Sequence, residues 1–168
     1  MNKFPGLFLD RDGVINKYVP YIHEIDDFEF NEGIFELCLG FKNAGYKIIV
    51  VTNQAGVARK IFTKEDFYKL NHFMLDGFKK NGIEIEQVYS CFCHPDFSDE
   101  PCECRKPNPN MILQGIKKHD IDPLKSLLIG DSKSDIEAGK NANVKHNFLI
   151  ERDLLPSYED LIRRIENV

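Results

Sequence analysis

The sequence predicts an α/β fold: a doubly wound, mainly parallel sheet with helices on both faces. Five short apolar runs, bounded by Gly, Asn, Asp or charged residues, recur at about 7–9, 47–51, 87–90, 126–129 and 147–150. Strands of a parallel sheet look like this because both of their faces are covered. Segments with helical periodicity separate the runs, as crossovers between parallel strands require. Several runs also end in a compact polar motif, and open α/β sheets bind ligands beyond the carboxyl ends of their strands.

The first run, Leu7-Phe8-Leu9, opens into Asp10-Arg11-Asp12-Gly13-Val14. A helix is expected from about Gly33 to Ala44, stopping at Gly45, with Ile34, Leu37, Cys38 and Phe41 at core spacing. Cys38 reads there as a small buried thiol. The second run ends in Thr52-Asn53-Gln54. The next helix follows Thr63, an N-cap with Asp66 three residues on, and carries Phe67, Leu70 and Met74 before Gly82. The third run enters a long non-periodic stretch, Cys91 to Pro107. A third helix starts at Pro109 with Asn108 as its cap. Leu127-Leu128-Ile129 leads into Gly130-Asp131-Ser132-Lys133-Ser134-Asp135; helices follow from about Ser134 to Ala142 and from Pro156 to Glu166. A chain of 168 residues suits one domain, 1–168, with a real core.

Hydrophobic content of 42% and charged content of 29% are those of a soluble globular domain. The net charge of −5 and the lack of a Lys/Arg stripe argue against nucleic acid as a partner. The longest aliphatic run, Ile48 to Val51, is far too short to span a membrane, and the first five residues lack the apolar stretch of a secretory signal. A cytoplasmic protein without membrane association is expected.

Asp10 and Asp12, at i and i+2 where a strand ends, are expected to point the same way. Gly13 then lets the backbone turn sharply. Crowded carboxylates need a counter-cation, and hard oxygen ligands suit Mg²⁺. One Asp would attack while the other handles a proton. Thr52, Asn53 and Gln54 offer a hydroxyl and two amides to phosphate oxygens. Arg105 and Lys106 bring two cations to a helix start, a place already favourable to anions. Asp131 supplies a third carboxylate that completes a Mg²⁺ site, and Asp135 a fourth, one helical turn on.

Four cysteines fall within fourteen residues: Cys91, Cys93, Cys102 and Cys104. Two thiolate pairs brought together make a tetrahedral site suited to Zn²⁺, closed and therefore structural. The zinc loop is placed at about 91–107.

These motifs together resemble the haloacid dehalogenase-like phosphotransferase superfamily, over roughly Phe8 to Val144. Phe8 to Gly13, Val51 to Gln54, the cysteine loop running into Cys104-Arg105-Lys106-Pro107, and Ile129-Gly130-Asp131 look like one branch of it. That branch holds the D-glycero-D-manno-heptose-1,7-bisphosphate 7-phosphatases and the histidinol-phosphate phosphatases. Tyr21 to Phe30 and Gly56-Val57-Ala58-Arg59 look more like the heptose enzymes. The resemblance implies Asp10 as nucleophile, Asp12 as general acid and base, and Thr52 and Lys106 on the phosphoryl oxygens. It implies Mg²⁺ on Asp10, the Asp12 carbonyl and Asp131, a monomer, and a small phosphorylated sugar as substrate. Substrate contacts would come from Arg11, Tyr18, Tyr21, Asn53, Gln54, Arg59 and Arg105. Asp135 is read either as orienting Lys106 or as a plain helix-face carboxylate. The stretch between Asp12 and Thr52 holds little beyond one helix, so the enzyme is expected to be capless. Three departures stand out. Relatives usually carry His at Cys93, which makes His94 a competing zinc ligand. Lys17-Tyr18-Val19-Pro20 replaces a more polar, Gly-containing segment. Ser132 stands where the heptose enzymes often place Lys. Histidinol-phosphate hydrolysis is the alternative activity; a zinc-stabilised binding protein and a nucleic-acid 3′-phosphatase are the rivals from other classes.

Overall fold

A computed structural model describes residues 3–167. The strands are β1 (Gly6–Leu9), β2 (Lys47–Asn53), β3 (Gln87–Cys91), β4 (Leu127–Gly130) and β5 (His146–Leu149), within a residue or two of the expected runs. They form one sheet in the order β3-β2-β1-β4-β5, with every pairing parallel. The order runs outward from β1 through β2 to β3, then returns to the other flank of β1 for β4. That reversal opens a crevice beyond the carboxyl ends of β1 and β4.

The helices are α1 (Ile34–Asn43), α2 (Lys64–Lys80), α3 (Asn110–Lys118), α4 (Lys133–Asn141) and α5 (Tyr158–Glu166). Strand alternation sorts the core into two layers. Leu7, Leu9, Ile48, Val50, Leu127 and Ile129 face α1, α2 and α5, meeting Phe41, Leu70, Met74, Phe78 and Leu161. Phe8, Ile49, Val51 and Leu128 face α3 and α4, meeting Met111, Ile112, Ala138 and Ala142. Cys38 is buried in the first layer as expected, and burial pushes its thiol pKa up.

Helix starts follow the caps. Thr63 Oγ1 accepts from Asp66 N at 3.1 Å, and Asp66 Oδ2 accepts from Thr63 N at 2.8 Å, a complete capping box. Asn108 Oδ1 accepts from Asn110 N at 3.0 Å, which starts α3 one residue beyond Pro109. The last helix begins two residues later than Pro156 because Ser157 is its cap. Residues 10–46 hold a three-residue 3₁₀ turn and α1 between the first two strands, so no cap domain is inserted there. Among the described residues, no helix is long and apolar enough to cross a membrane.

Candidate active site at the ends of strands β1 and β4

Asp10 leaves β1 directly after Leu9, and its backbone N donates to Ile129 O of β4 at 3.1 Å. Asp131 follows the last residue of β4, so neighbouring strands deliver both acids to one point. Lys106 arrives from the end of the cysteine loop and is 3% exposed. Its Nζ donates to Asp10 Oδ1 (2.8 Å) and the Val51 carbonyl (2.7 Å), and lies 2.6 Å from Asp135 Oδ1. Burial works against its charge, but Asp10 and Asp135 outweigh that and hold the ammonium above its ordinary pKa. Asp10 is pushed up to about 7, first by burial and then by Asp135, against the pull of Lys106.

Asp135 has two tasks at once. Its Oδ1 faces Lys106, while Oδ2 accepts from Ser132 N (3.1 Å) and Ser132 Oγ (2.8 Å), closing the capping box of α4. Asp135 thus caps its helix and also contacts Lys106, so both readings of it keep a structural basis.

Oxygens of Asp10, Asp131 and Asp135 lie within 4.8 Å of one another, with one lysine among them. Three carboxylates against the Lys106 ammonium and the Arg152 guanidinium still leave one excess negative charge, and an all-oxygen donor set of this kind fits a hard divalent cation such as Mg²⁺. Gly13 is required beside them: its φ is +87°, and a Cβ there would stand 2.4 Å from Asp131 Oδ2.

Asp12 does not join that group. β1 ends at Leu9, so strand alternation does not extend to Asp12. The chain turns instead, with the backbone N of Val14, Ile15 and Asn16 converging on the Arg11 carbonyl. Arg11 then grips the Asp12 carboxylate through Nε (2.9 Å) and Nη2 (3.2 Å), while Asn16 Nδ2 and Gln54 Nε2 each donate to it at 3.1 Å. Asp12 still lines the cleft. Arg11 itself, expected among the substrate contacts, is a correction: it is 0% exposed, beneath the site. Its Nη2 also reaches Gln54 Oε1 at 3.3 Å, and its guanidinium lies 5.4 Å from the centre of the Phe67 ring. A buried guanidinium with carboxylate and amide partners stiffens the wall of the cleft.

The site has two lobes. The inner one, about 250 Å³, is lined by Asp10, Lys106, Asp131, Ser134, Asp135 and Arg152 among others. The outer one, about 190 Å³, is lined by Tyr21, Gln54, Arg59, Phe62 and His94 among others. Asp12, Tyr18, Asn53 and Arg105 line both, so the lobes adjoin. Tyr18, Tyr21, Asn53, Gln54, Arg59 and Arg105 all line the cleft. Asn53 also clamps the end of the cysteine loop: its Oδ1 accepts from Lys106 N (3.0 Å) and its Nδ2 donates to Lys106 O (3.3 Å). Thr52 is 1% exposed, and Gln54 Nε2 donates both to its Oγ1 (2.9 Å) and to Asp12 Oδ2 (3.1 Å). Among the described residues neither Arg59 nor Arg105 pairs with a carboxylate, and Arg105 Nη1 is buried without a partner. Burial and then the neighbouring Arg59 hold Arg105 below its ordinary pKa. A larger hollow of about 400 Å³ beside Glu36 and Tyr158 has no cationic lining and does not suit an anion.

Sequence reasoning missed Arg152. Its Nε donates to Asp131 Oδ2 at 2.6 Å, and its guanidinium lies 3.8 Å from the centre of the Tyr18 ring. It comes from the loop after β5, pinned by Asp153, whose N donates to Gly13 O (2.9 Å) and whose Oδ1 accepts from Tyr18 N (2.8 Å). No motif surrounds it in the chain.

The four loop cysteines converge. Cys91 pairs with Cys104 and Cys93 with Cys102 as disulfides, and across the pairs the sulfurs are 3.4 to 3.7 Å apart. His94 is turned away: its Nδ1 accepts from Asp96 N at 3.1 Å, and it stands outside the four-sulfur group.

Known proteins resemble this chain in sequence and in fold. Residues 94–148 match the haloacid dehalogenase-like hydrolase family. A Helicobacter pylori D-glycero-beta-D-manno-heptose-1,7-bisphosphate 7-phosphatase is 44% identical over 89% of this chain and 86% of its own. A Campylobacter jejuni D-glycero-alpha-D-manno-heptose-1,7-bisphosphate 7-phosphatase is 42% identical over 99% and 92%. The chain belongs to the heptose-bisphosphate phosphatase family of haloacid dehalogenase-like hydrolases. The solved D,D-heptose 1,7-bisphosphate phosphatase of B. bronchiseptica, a complex with magnesium and phosphate, shares the fold of this phosphatase. Its TM-score is 0.78 at 24% identity, over 95% of this chain and 86% of that one. The corresponding enzyme of Burkholderia thailandensis gives 0.57 at 25% identity, over 83% and 74%.

Proposed function

We propose that this phosphatase removes the 7-phosphate of a D-glycero-D-manno-heptose 1,7-bisphosphate, with Asp10 as nucleophile. The observation that carries the reading is the two-lobed cleft. A carboxylate–lysine cluster in the inner lobe opens onto two uncompensated arginines in the outer one. A bisphosphate has one group for each.

An Asp10 oxygen attacks phosphorus, the bond to the sugar oxygen breaks, and Asp12 gives that oxygen its proton. Water then attacks the aspartyl-phosphate and passes a proton to Asp12. The bond to Asp10 breaks, releasing inorganic phosphate and the free carboxylate. Lys106 neutralises the phosphoryl oxygens during both steps, and Thr52 hydrogen-bonds to them. Asp12 keeps its orientation through Arg11, Asn16 and Gln54. Asp10, Asp131 and the Asp12 carbonyl would hold Mg²⁺, which when bound offsets the charge of the meeting anions.

Cys91, Cys93, Cys102 and Cys104 would hold Zn²⁺ as a structural staple. The zinc form needs all four as thiolates and so excludes the disulfide pairing of the same sulfurs. Two disulfides need only pairwise approach, whereas four ligands of one ion must converge. The cross-pair spacing is near the roughly 3.8 Å expected between sulfurs around a tetrahedral zinc with Zn–S bonds of about 2.3 Å. The staple fixes the loop that delivers Arg105 and Lys106. The protein would be a cytoplasmic monomer that needs neither nucleic acid nor membrane.

The test is phosphate release from heptose 1,7-bisphosphate and from histidinol phosphate, side by side, with phosphorus NMR to show which phosphate leaves. Faster turnover of histidinol phosphate, or loss of the anomeric phosphate, overturns the reading.

A further inference from the structure

Arg59 is an exposed residue on the turn after Gln54, a placement that ordinarily leaves an arginine free to sample many rotamers. Here it is caught between two aromatic rings. Its guanidinium lies 4.2 Å from the centre of the Phe97 ring and 5.8 Å from that of Tyr21. Phe97 belongs to the cysteine loop, inside a turn that bonds to itself: Phe97 N and Ser98 N both donate to His94 O, and Ser98 Oγ accepts from His94 N at 2.9 Å. The His94 ring, which lines the outer lobe, packs against Phe97 with centroids 5.1 Å apart. Phe97 is nonetheless 47% exposed, so filling a core does not account for it.

We propose that Phe97 is a specificity-determining, positioning residue: from the cysteine loop it holds Arg59 over the outer lobe, where Arg59 and Arg105 together receive the phosphate that is not transferred. This rests on the bisphosphate reading above. It assigns the cysteine loop a second role, since the loop that carries Arg105 also sets the position of the second guanidinium. A free arginine would have to be ordered by each incoming substrate, and a stacked one is ordered beforehand.

Steady-state kinetics on heptose 1,7-bisphosphate and on heptose 7-phosphate test it. Phe97→Ala is expected to raise KM for the bisphosphate about two- to fivefold with kcat unchanged, the size of a lost cation–π contact at an exposed site. The KM for heptose 7-phosphate, which lacks the second anion, stays put. Phe97→Tyr, which keeps the ring, behaves like the parent. Phe97→Leu keeps apolar bulk and tracks Phe97→Ala, which guards against loop collapse as the cause. In an Arg59→Ala background, Phe97→Ala adds nothing. Equal changes for both substrates, no change for either, or a full additional effect on top of Arg59→Ala overturns the role of Phe97. A parent enzyme that shows no preference for the bisphosphate overturns the underlying reading, and does so without any variant.

Discussion

Asp135→Asn separates an acid that aims Lys106 from one that merely starts a helix. Asp135 is 2% exposed, with one oxygen committed to Lys106 and the other to Ser132 N and Oγ. An amide keeps the shape but offers a single acceptor. Whichever way it turns, its NH₂ meets a donor: the Lys106 ammonium on one side or the Ser132 N–H on the other. A buried donor left facing a donor costs about 1–3 kcal/mol. Removing one charge from a buried ionic cluster brings the total towards about 3–5 kcal/mol. Lys106 keeps Asp10 and the Val51 carbonyl, so the lower part of that range applies. A loss of about 3 kcal/mol is expected, or roughly 6–12 °C in melting temperature for a chain of this size. With one of three anchors gone, the ammonium drifts from its aim, and misplacement by about 1 Å is worth roughly 10²-fold in rate. Thermal unfolding followed by circular dichroism and steady-state phosphate release measure both quantities. A variant within about 0.5 kcal/mol of the parent, with kcat within about twofold, would show that Asp135 is only a helix-face carboxylate.

Four further outcomes are expected. Asp10→Asn should lose at least about 10⁴-fold in turnover while its unfolding remains cooperative; substantial residual activity in a pure sample would remove Asp10 from the nucleophile's role. Gly13→Ala should destabilise by about 1–2 kcal/mol from the positive φ alone and also weaken Mg²⁺ binding, because the added Cβ displaces Asp131; calorimetric titration with Mg²⁺ reads the second effect. The raised pKa of Asp10 gives a pH dependence whose sign follows from linkage. Between the ordinary carboxyl value of 3.8 and about 7, the folded protein without metal keeps a proton that the unfolded chain loses, so stability falls as pH rises through that window. Mg²⁺, which binds the ionised form, should therefore raise the melting temperature more at pH 8 than at pH 5, and an equal or opposite difference would count against Asp10 as its ligand. Chelation of zinc should lower activity by loosening the loop that carries Arg105 and Lys106; full activity in a folded sample shown to be zinc-free would exclude that structural role.

The sequence by itself determined the five strands, the helices between them, the placement of Asp10, Thr52 and Asp131 at strand ends, and that of Lys106 at the close of the cysteine loop. All of these follow from local periodicity, capping and turn chemistry, which act over a few residues. It determined the cysteine cluster for the same reason, since two close pairs eight residues apart are a local signal. The tertiary structure alone decided where the side chains of the turns point. Arg11 looks like a ligand-facing cation beside Asp12, yet the turn after β1 sends it inward to Gln54, forty-three residues away. Arg152 comes to Asp131 only because β5 lies beside β4, and Phe97 to Arg59 only because the cysteine loop folds over the turn after Gln54. Asp135 could have capped its helix and done nothing more; what recruits it is the ammonium that long-range packing buries against it. Contacts of this kind leave no trace in spacing or composition, because they depend on how separate elements dock and not on what either element is.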